Sequence, residues 1–175
     1  MAYNLFRRAI TSRARPINTI KLEQAAPVHQ IDERYLSFSI DISLIIGGQW
    51  WEGSDRSSRG LGTVRVPPLP LNHPKLSQYV KHLSPAYLRV GGSEADTIHY
   101  FCSQELPNEK EPELSEAIWN RLIQFIKEHE LKFMFTFKYG AFDRKQHGNW
   151  NGADCAALLQ YTQQRGVNID VCELG

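Results

Sequence analysis

Cysteine is scarce in this chain, three residues in 175, and Cys102, Cys155 and Cys172 stand far apart with no Cys-x-x-Cys pair or close histidines. Neither a zinc site nor a disulfide framework fits that spacing, so three reduced and mostly buried thiols are expected. An excess of one charge is also lacking. Lys+Arg 20 against Asp+Glu 19 leaves a net charge of +1, too little to draw in a nucleic acid through bulk electrostatics. No apolar run is long enough for a transmembrane segment, and a hydrophobic share of 42%, a charged share of 22% and a mean hydropathy of -0.41 are those of an ordinary globular protein. Neither G-x-G-x-x-G nor G-x-x-x-x-G-K-[ST] occurs, so nucleotide binding of the usual kinds has no support and no cofactor is implied.

What is present begins with a basic stretch. Arg7, Arg8, Arg13, Arg15 and Lys21 lie between Met1 and Leu22 with no acidic residue among them, which reads as a transit peptide, a basic arm or a solvated tail. No apolar h-region or small-residue cleavage pattern follows, so no secretory signal is visible and the compartment stays unknown. We divide the chain into a tail over residues 1–34 and one domain over residues 35–175, a length that can bury a real core.

Within the domain, Tyr35-Leu-Ser-Phe-Ser-Ile-Asp-Ile-Ser43 alternates apolar and polar residues and predicts a strand ending near Asp41. From Gly47 to Pro70 the density of Gly, Ser, Arg and Pro predicts a long loop with no regular element. Pro74 opens a helix with Leu76, Tyr79, Val80 and Leu83 on its buried face. Ala86-Tyr-Leu-Arg-Val90 predicts a buried strand stopped by Gly91-Gly92. A second helix carries Leu114, Ile118, Leu122, Phe125 and Ile126, with Glu111, Glu113 and Glu116 at its start and Lys127 and His129 at its end to complement the macrodipole. Lys132-Phe-Met-Phe-Thr-Phe-Lys138 is the third strand. Asn151 is the expected N-cap of a helix through Ala153, Ala156, Leu159 and Gln163 that stops at Gly166, and Val167-Asn-Ile-Asp-Val-Cys172 is the fourth strand.

Strands alternating with helices give an α/β fold with a parallel sheet. Four βα units can be a complete doubly wound sheet or half of an eight-stranded barrel, and periodicity does not separate them. The loops after the strands hold aromatic, acidic, basic and amide residues, the material of carbohydrate sites. Trp50 and Trp51 follow the first strand, where an indole face can support a sugar or simply bury the loop. Arg56, Arg59, Arg65, Lys138, Arg144 and Lys145 lie in loops on the same face, and each is either a cation for carboxylated or sulfated glycans or a solvated charge. The six histidines are scattered, only His147 falling in a strand-end loop, and none receives a role.

Leu36-Ser-Phe-Ser-Ile-Asp41, Leu83-Ser-Pro-Ala-Tyr-Leu-Arg-Val-Gly-Gly-Ser93, Trp150-Asn151 with Tyr161, and Asn168-Ile-Asp-Val-Cys-Glu-Leu-Gly175 follow one another in an order that resembles the heparanase and β-glucuronidase group of glycoside hydrolases. The resemblance runs over residues 35–175, and its most specific part is Leu-Ser-Pro-Ala-Tyr-Leu-Arg-x-Gly-Gly. It implies the first four βα units of a (β/α)8 barrel, a half barrel that needs its carboxyl-terminal half or a second chain, acting on uronic-acid-containing oligosaccharides or polysaccharides. In that family the fourth strand ends Glu-Leu-Gly-Asn-Glu, the last Glu being the general acid/base, and the nucleophile follows the seventh strand. Both would lie past Gly175, so the resemblance gives this chain no catalytic residue. It implies substrate contacts instead. Asp41 matches a residue that hydrogen-bonds the sugar, Gly91 and Gly92 permit close backbone approach, and Ser93 places a hydroxyl near the acidic group. Asp96 matches too, as a contact or as a brace for the turn. Glu173 stands before the acid/base with three residues between them and is expected to pair with a basic neighbour or cap its strand.

Two other readings stay open: a non-catalytic carbohydrate-binding or interaction protein derived from such a barrel, and two copies closing one ring. Unpaired edge strands in any of these favour a partner.

Overall fold

A computed structural model of the chain describes residues 29–50, 64–104, 106–107, 112–139 and 152–175. The chain divides into two units, Met1–Gln30 and Ile31–Gly175. The second holds β1 (Phe38–Asp41), α1 (Ile42–Ile46), β2 (Gly48–Trp50), β3 (Val64–Val66), α2 (Pro74–Leu83), β4 (Tyr87–Gly91), a 3-10 turn (Ser93–Thr97), β5 (His99–Tyr100), β6 (Glu113–Leu114), α3 (Glu116–Glu128), β7 (Lys132–Phe137), α4 (Ala153–Gln164) and β8 (Val171–Leu174).

The four strands expected from the sequence form one sheet in the order β1-β4-β7-β8, and every neighbouring pair is parallel. The result is a mixed α/β unit around a four-stranded parallel sheet. β8 starts later than alternation predicts because Asp170 anchors the approach: its backbone N–H donates to Phe133 O at 2.7 Å, while its carboxylate accepts from Phe133 N at 2.8 Å and Lys132 Nζ at 2.9 Å.

One face of the sheet is apolar. Ile40, Leu88, Val90, Phe133, Phe135 and Phe137 share a single core with Val80 of α2, Trp119, Leu122 and Ile126 of α3, and Leu158 of α4. The Trp119 ring lies 5.8 Å from Phe133 and 5.0 Å edge-on from Phe135, and its Nε1–H donates to Thr162 Oγ1 at 3.0 Å. Alternation sends Ser39, Arg89, Thr136 and Glu173 to the other face, where Arg89 Nη1 reaches Ser39 Oγ at 3.4 Å and Thr136 donates to Glu173.

Several expectations need correction. The segment over residues 47–70 is not wholly irregular, since β2 pairs antiparallel with β3, Gly48 opposite Val66 and Trp50 opposite Val64, and α1 takes Ile42 and Ser43 from the end of the expected first strand. Gly47, at φ +70°, ends α1 where a Cβ would come within 2.6 Å of the Pro68 ring. Tyr79 is not on the buried face of α2; it is 65% exposed, and Val80 points inward with Leu76 and Leu83 partly covered. At about 100° per residue Tyr79 lies beyond that narrow stripe. Leu114 and Glu113 belong to β6, not α3, which starts at Glu116 under the Ser115 cap. Glu111 and Asn151 fall outside the described residues, and α4 starts under Gly152 with no side-chain cap. That helix buries Cys155, Leu158 and Thr162, with Ala156 exposed and Leu159 only partly covered, because Thr162 turns in to meet Trp119. Of the three thiols only Cys155 is buried. Cys102 is half-buried and Cys172 exposed on the edge strand.

Among the described residues, no helix is long and apolar enough to cross a membrane.

Candidate functional site

Parallel strands deliver their carboxyl ends to one side, here Asp41, Gly91, Phe137 and Leu174. Asp41 ends β1 because its carboxylate caps α1: Oδ1 accepts from Ser43 N at 2.9 Å and from Ser43 Oγ at 2.6 Å. Its other oxygen faces β4. Asp41 pairs with Gly91 in the ladder, and a Cβ on Gly92, which sits at φ +120°, would come within 2.6 Å of Asp41 Oδ2. Only glycine allows the backbone so near that carboxylate. A Cβ on Gly91 would in turn lie 2.0 Å from Thr136 Oγ1, so the bare Gly91 admits the hydroxyl of the adjacent strand.

Past Gly92 the chain enters the 3-10 turn, which puts Ser93 in solvent. Asp96 lies near its end, and its Oδ1 accepts from Tyr139 N at 3.0 Å, bracing the turn after β7. Lys138 N donates to the hydroxyl of the buried Tyr100 at 2.8 Å. Burial pushes that phenol well above the ordinary tyrosine value, with the Lys138 N–H pulling the other way. Gly175 N donates to Phe137 O at 3.2 Å, closing the end of β8 against β7. The structure thus brings Asp41, Gly91, Gly92, Ser93, Asp96 and Lys138 to the carboxyl-end side of the sheet. Of Trp50 and Arg65 only the backbone is described, while Trp51, Arg56, Arg59, Arg144, Lys145 and His147 lie outside the described residues.

One step below the strand ends is a group that the sequence pattern alone does not assemble. Glu173 Oε2 accepts from Arg89 Nε at 2.8 Å, pairs with Arg89 Nη2 at 2.5 Å, and takes the Thr136 hydroxyl. The expected basic neighbour of Glu173 is therefore Arg89, two strands away across β7. The Thr136 hydroxyl holds the Glu173 carboxyl below the ordinary glutamate value, with Arg89 adding to the effect against partial desolvation. Alternation gives only part of the signal: Arg89 and Thr136 each interrupt an apolar strand on its second face, but which strands lie side by side is set by the ladder.

Asp41 and Glu173 cannot act together in retaining hydrolysis. They stand on the first and fourth strands of the sheet, and three intervals of about 4.8 Å put those strands roughly 14 Å apart, against about 5–5.5 Å between the carboxyls of a retaining pair. Nor are Cys102 and Cys155 nucleophiles of note: burial, then the charge of Asp154, pushes Cys155 up to about 11, and burial raises Cys102 as well. Among the described residues, no group of three or more His, Cys, Asp or Glu side chains can hold a metal ion.

No family model matches the chain. It is similar to Heparanase-like protein 3 of Arabidopsis thaliana, 24% identical over 190 residues that take in 95% of this chain and 33% of that relative. The relationship is a distant heparanase-like one, and the chain spans about a third of the relative's length. At 95% of the chain, the likeness extends well beyond any single motif.

A cleft of about 460 Å³ lies elsewhere, between the Pro68–Asn72 segment and α3, lined by Ile45, Leu69, Ile118, Arg121 and Phe125. It includes none of the strand-end residues.

Proposed function

We propose that residues 35–175 are the first four βα units of a heparanase-type retaining β-glucuronidase barrel, and that their strand ends bind a uronic-acid-containing glycan. One observation carries the reading: the sheet runs in chain order, with helices on a single face. A doubly wound sheet reverses its strand order and covers both faces, whereas same-handed crossovers that never reverse put all helices outside and curl the sheet toward closure. The uncovered face carries Ser39, Arg89, Thr136 and Glu173, and such polar groups suit the interior of a ring completed by further strands.

In this reading Asp41 accepts a sugar hydroxyl through Oδ2, and Gly91 and Gly92 let the ring approach the backbone. Ser93 and Lys138 face the uronate, Asp96 divides its carboxylate between Tyr139 N and the glycan, and Trp50 offers an indole platform. Leaving-group protonation and nucleophilic attack each need a positioned carboxyl, and the heparanase resemblance assigns these to strand ends supplied by the remaining half of the barrel or by a second chain. Arg89, Thr136 and Glu173 fix the end of β8, three residues before the position where that family carries its acid/base.

The test is release of an aryl glucuronide. The 175-residue polypeptide should give none, while the same chain continued after Gly175 with the sequence of an active family member should hydrolyse it with retention of configuration. Robust turnover by the 175-residue chain that survives Glu173→Gln and Asp41→Asn would overturn the proposal, and a non-catalytic binding protein is left if the extended chain binds glucuronides without cleaving them.

A further inference from the structure

We propose that Tyr139 is a stacking platform for the C–H face of a pyranose ring, a binding contact that neither the sequence pattern nor the distant relative assigns. The inference rests on the glycan-binding reading above. Three exposed tyrosines occur among the described residues: Tyr35 precedes β1, Tyr79 is on α2, and Tyr139 alone stands at the carboxyl ends of the sheet.

Its stem is fixed from several sides. The backbone N–H of Tyr139 donates to Asp96 Oδ1 at 3.0 Å, the preceding N–H is held by Tyr100, and its Cβ packs over Gly175, where an added Cβ would sit 2.7 Å away. Yet the residue is 58% exposed. An aromatic side chain with a fixed root and an open ring loses little conformational freedom when something covers it, which is how rigid tyrosines contribute binding area.

The neighbours say what kind of ligand fits. Asp96, whose Oδ1 already serves Tyr139, lies near enough to Gly175 that an added Cβ there would be 3.3 Å from that oxygen. A carboxylate beside an exposed phenol ring offers one acceptor for a hydroxyl next to one apolar plane. A pyranose has that pairing: axial C–H bonds on one face and equatorial hydroxyls at the rim. An aliphatic or simple anionic ligand would use only one of the two.

The experiment is an NMR titration of the full 175-residue chain with a glucuronate-containing oligosaccharide, comparing wild type, Tyr139→Ala and Tyr139→Phe, with thermal unfolding of each as control. Because the ring is exposed, unfolding should be nearly unchanged in all three. Tyr139→Ala should weaken binding roughly three- to tenfold, the range of an aromatic contact, and Tyr139→Phe should restore it to within about twofold, because the plane and not the hydroxyl makes the contact. Wild-type binding that Tyr139→Ala leaves unaltered overturns this inference alone. Absence of binding by the wild type overturns it together with the glycan-binding reading.

Discussion

Replacing Glu173 with glutamine tests whether the group beneath the strand ends holds β4, β7 and β8 together. The carboxylate accepts from Arg89 Nε at 2.8 Å, meets Nη2 at 2.5 Å, and takes the Thr136 hydroxyl. Hydrogen bonds to a charged group contribute about 1.5–3 kcal/mol each when sheltered, whereas exposed ion pairs contribute about 0.2–1 kcal/mol. The Arg89 and Glu173 side chains are 34% and 35% exposed, so the expected loss falls between, at about 1–2 kcal/mol. For a chain of this size that lowers Tm by roughly 2–8 °C at neutral pH. The folded protein holds Glu173 below the ordinary glutamate value of 4.5, so the ionised form is favoured by folding. Its contribution is complete above that value and fades as pH falls through the depressed folded one. Glutamine carries no charge at any pH, so the two melting curves should separate at pH 7 and converge in strong acid. Thr136→Val should bring the glutamate titration back toward its ordinary value, because that hydroxyl is the largest cause of the shift. A Tm difference that is equally large at pH 7 and in strong acid would refute the electrostatic account.

Two substitutions test the packing. Thr162→Val keeps the shape but leaves the buried Trp119 Nε1–H without its 3.0 Å acceptor, which should cost about 1–3 kcal/mol in chemical denaturation. Gly91→Ala drives a methyl to 2.0 Å from Thr136 Oγ1 and should destabilise by about 1–3 kcal/mol, a loss that Thr136→Ala partly recovers by removing the clashing atom.

The first three strands of the parallel sheet were readable in the sequence because each is a short apolar run closed by a local signal, Asp41, Gly91-Gly92 and the residues after Phe137, whereas β8 shares only Val171 and Cys172 with the strand expected over residues 167–172. The long α3 was readable for the same reason, since Leu122, Phe125 and Ile126 repeat at helical spacing and are buried, although the expected Ile118 is only partly covered and Trp119 takes its place in the core. What escaped depends on contacts distant in sequence. Thr162 faces inward because it meets Trp119, 43 positions away, so α4 carries a polar residue on its buried face and pattern alone selects the wrong stripe. The β5–β6 pair, His99 opposite Glu113 and Tyr100 opposite Leu114, joins segments across a polar stretch too short of apolar residues to announce a strand. At the candidate site, the resemblance pointed to Asp41 and the glycine pair, while the Arg89–Thr136–Glu173 group needed the ladder register to show that three separate strands bring them to one face.

Asp41 shows why the substitution chosen decides what is learned. As a sugar contact alone, it could be removed without disturbing the fold, but Oδ1 caps α1 through Ser43 N and Ser43 Oγ, and that helix sinks Ile42 and Ile45 into the core. Asp41→Ala should therefore cost about 1 kcal/mol of stability, the usual value of a lost cap, and any loss of binding would be mixed with that. Asp41→Asn separates the two. The amide oxygen can still cap α1, so Tm should stay within about 2 °C of wild type, as expected for a change below about 0.5 kcal/mol, while the side of the carboxylate that faces Gly92 loses its charge. A sugar hydroxyl donating to a charged acceptor is worth about 1 kcal/mol more than one donating to a neutral group, so glucuronide affinity should fall roughly fivefold. NMR titration beside thermal unfolding reads both quantities on the same samples. If Asp41→Asn binds as wild type does and Asp41→Ala weakens binding only as far as it unfolds the protein, then Asp41 is a helix cap and the sugar contact belongs to another residue.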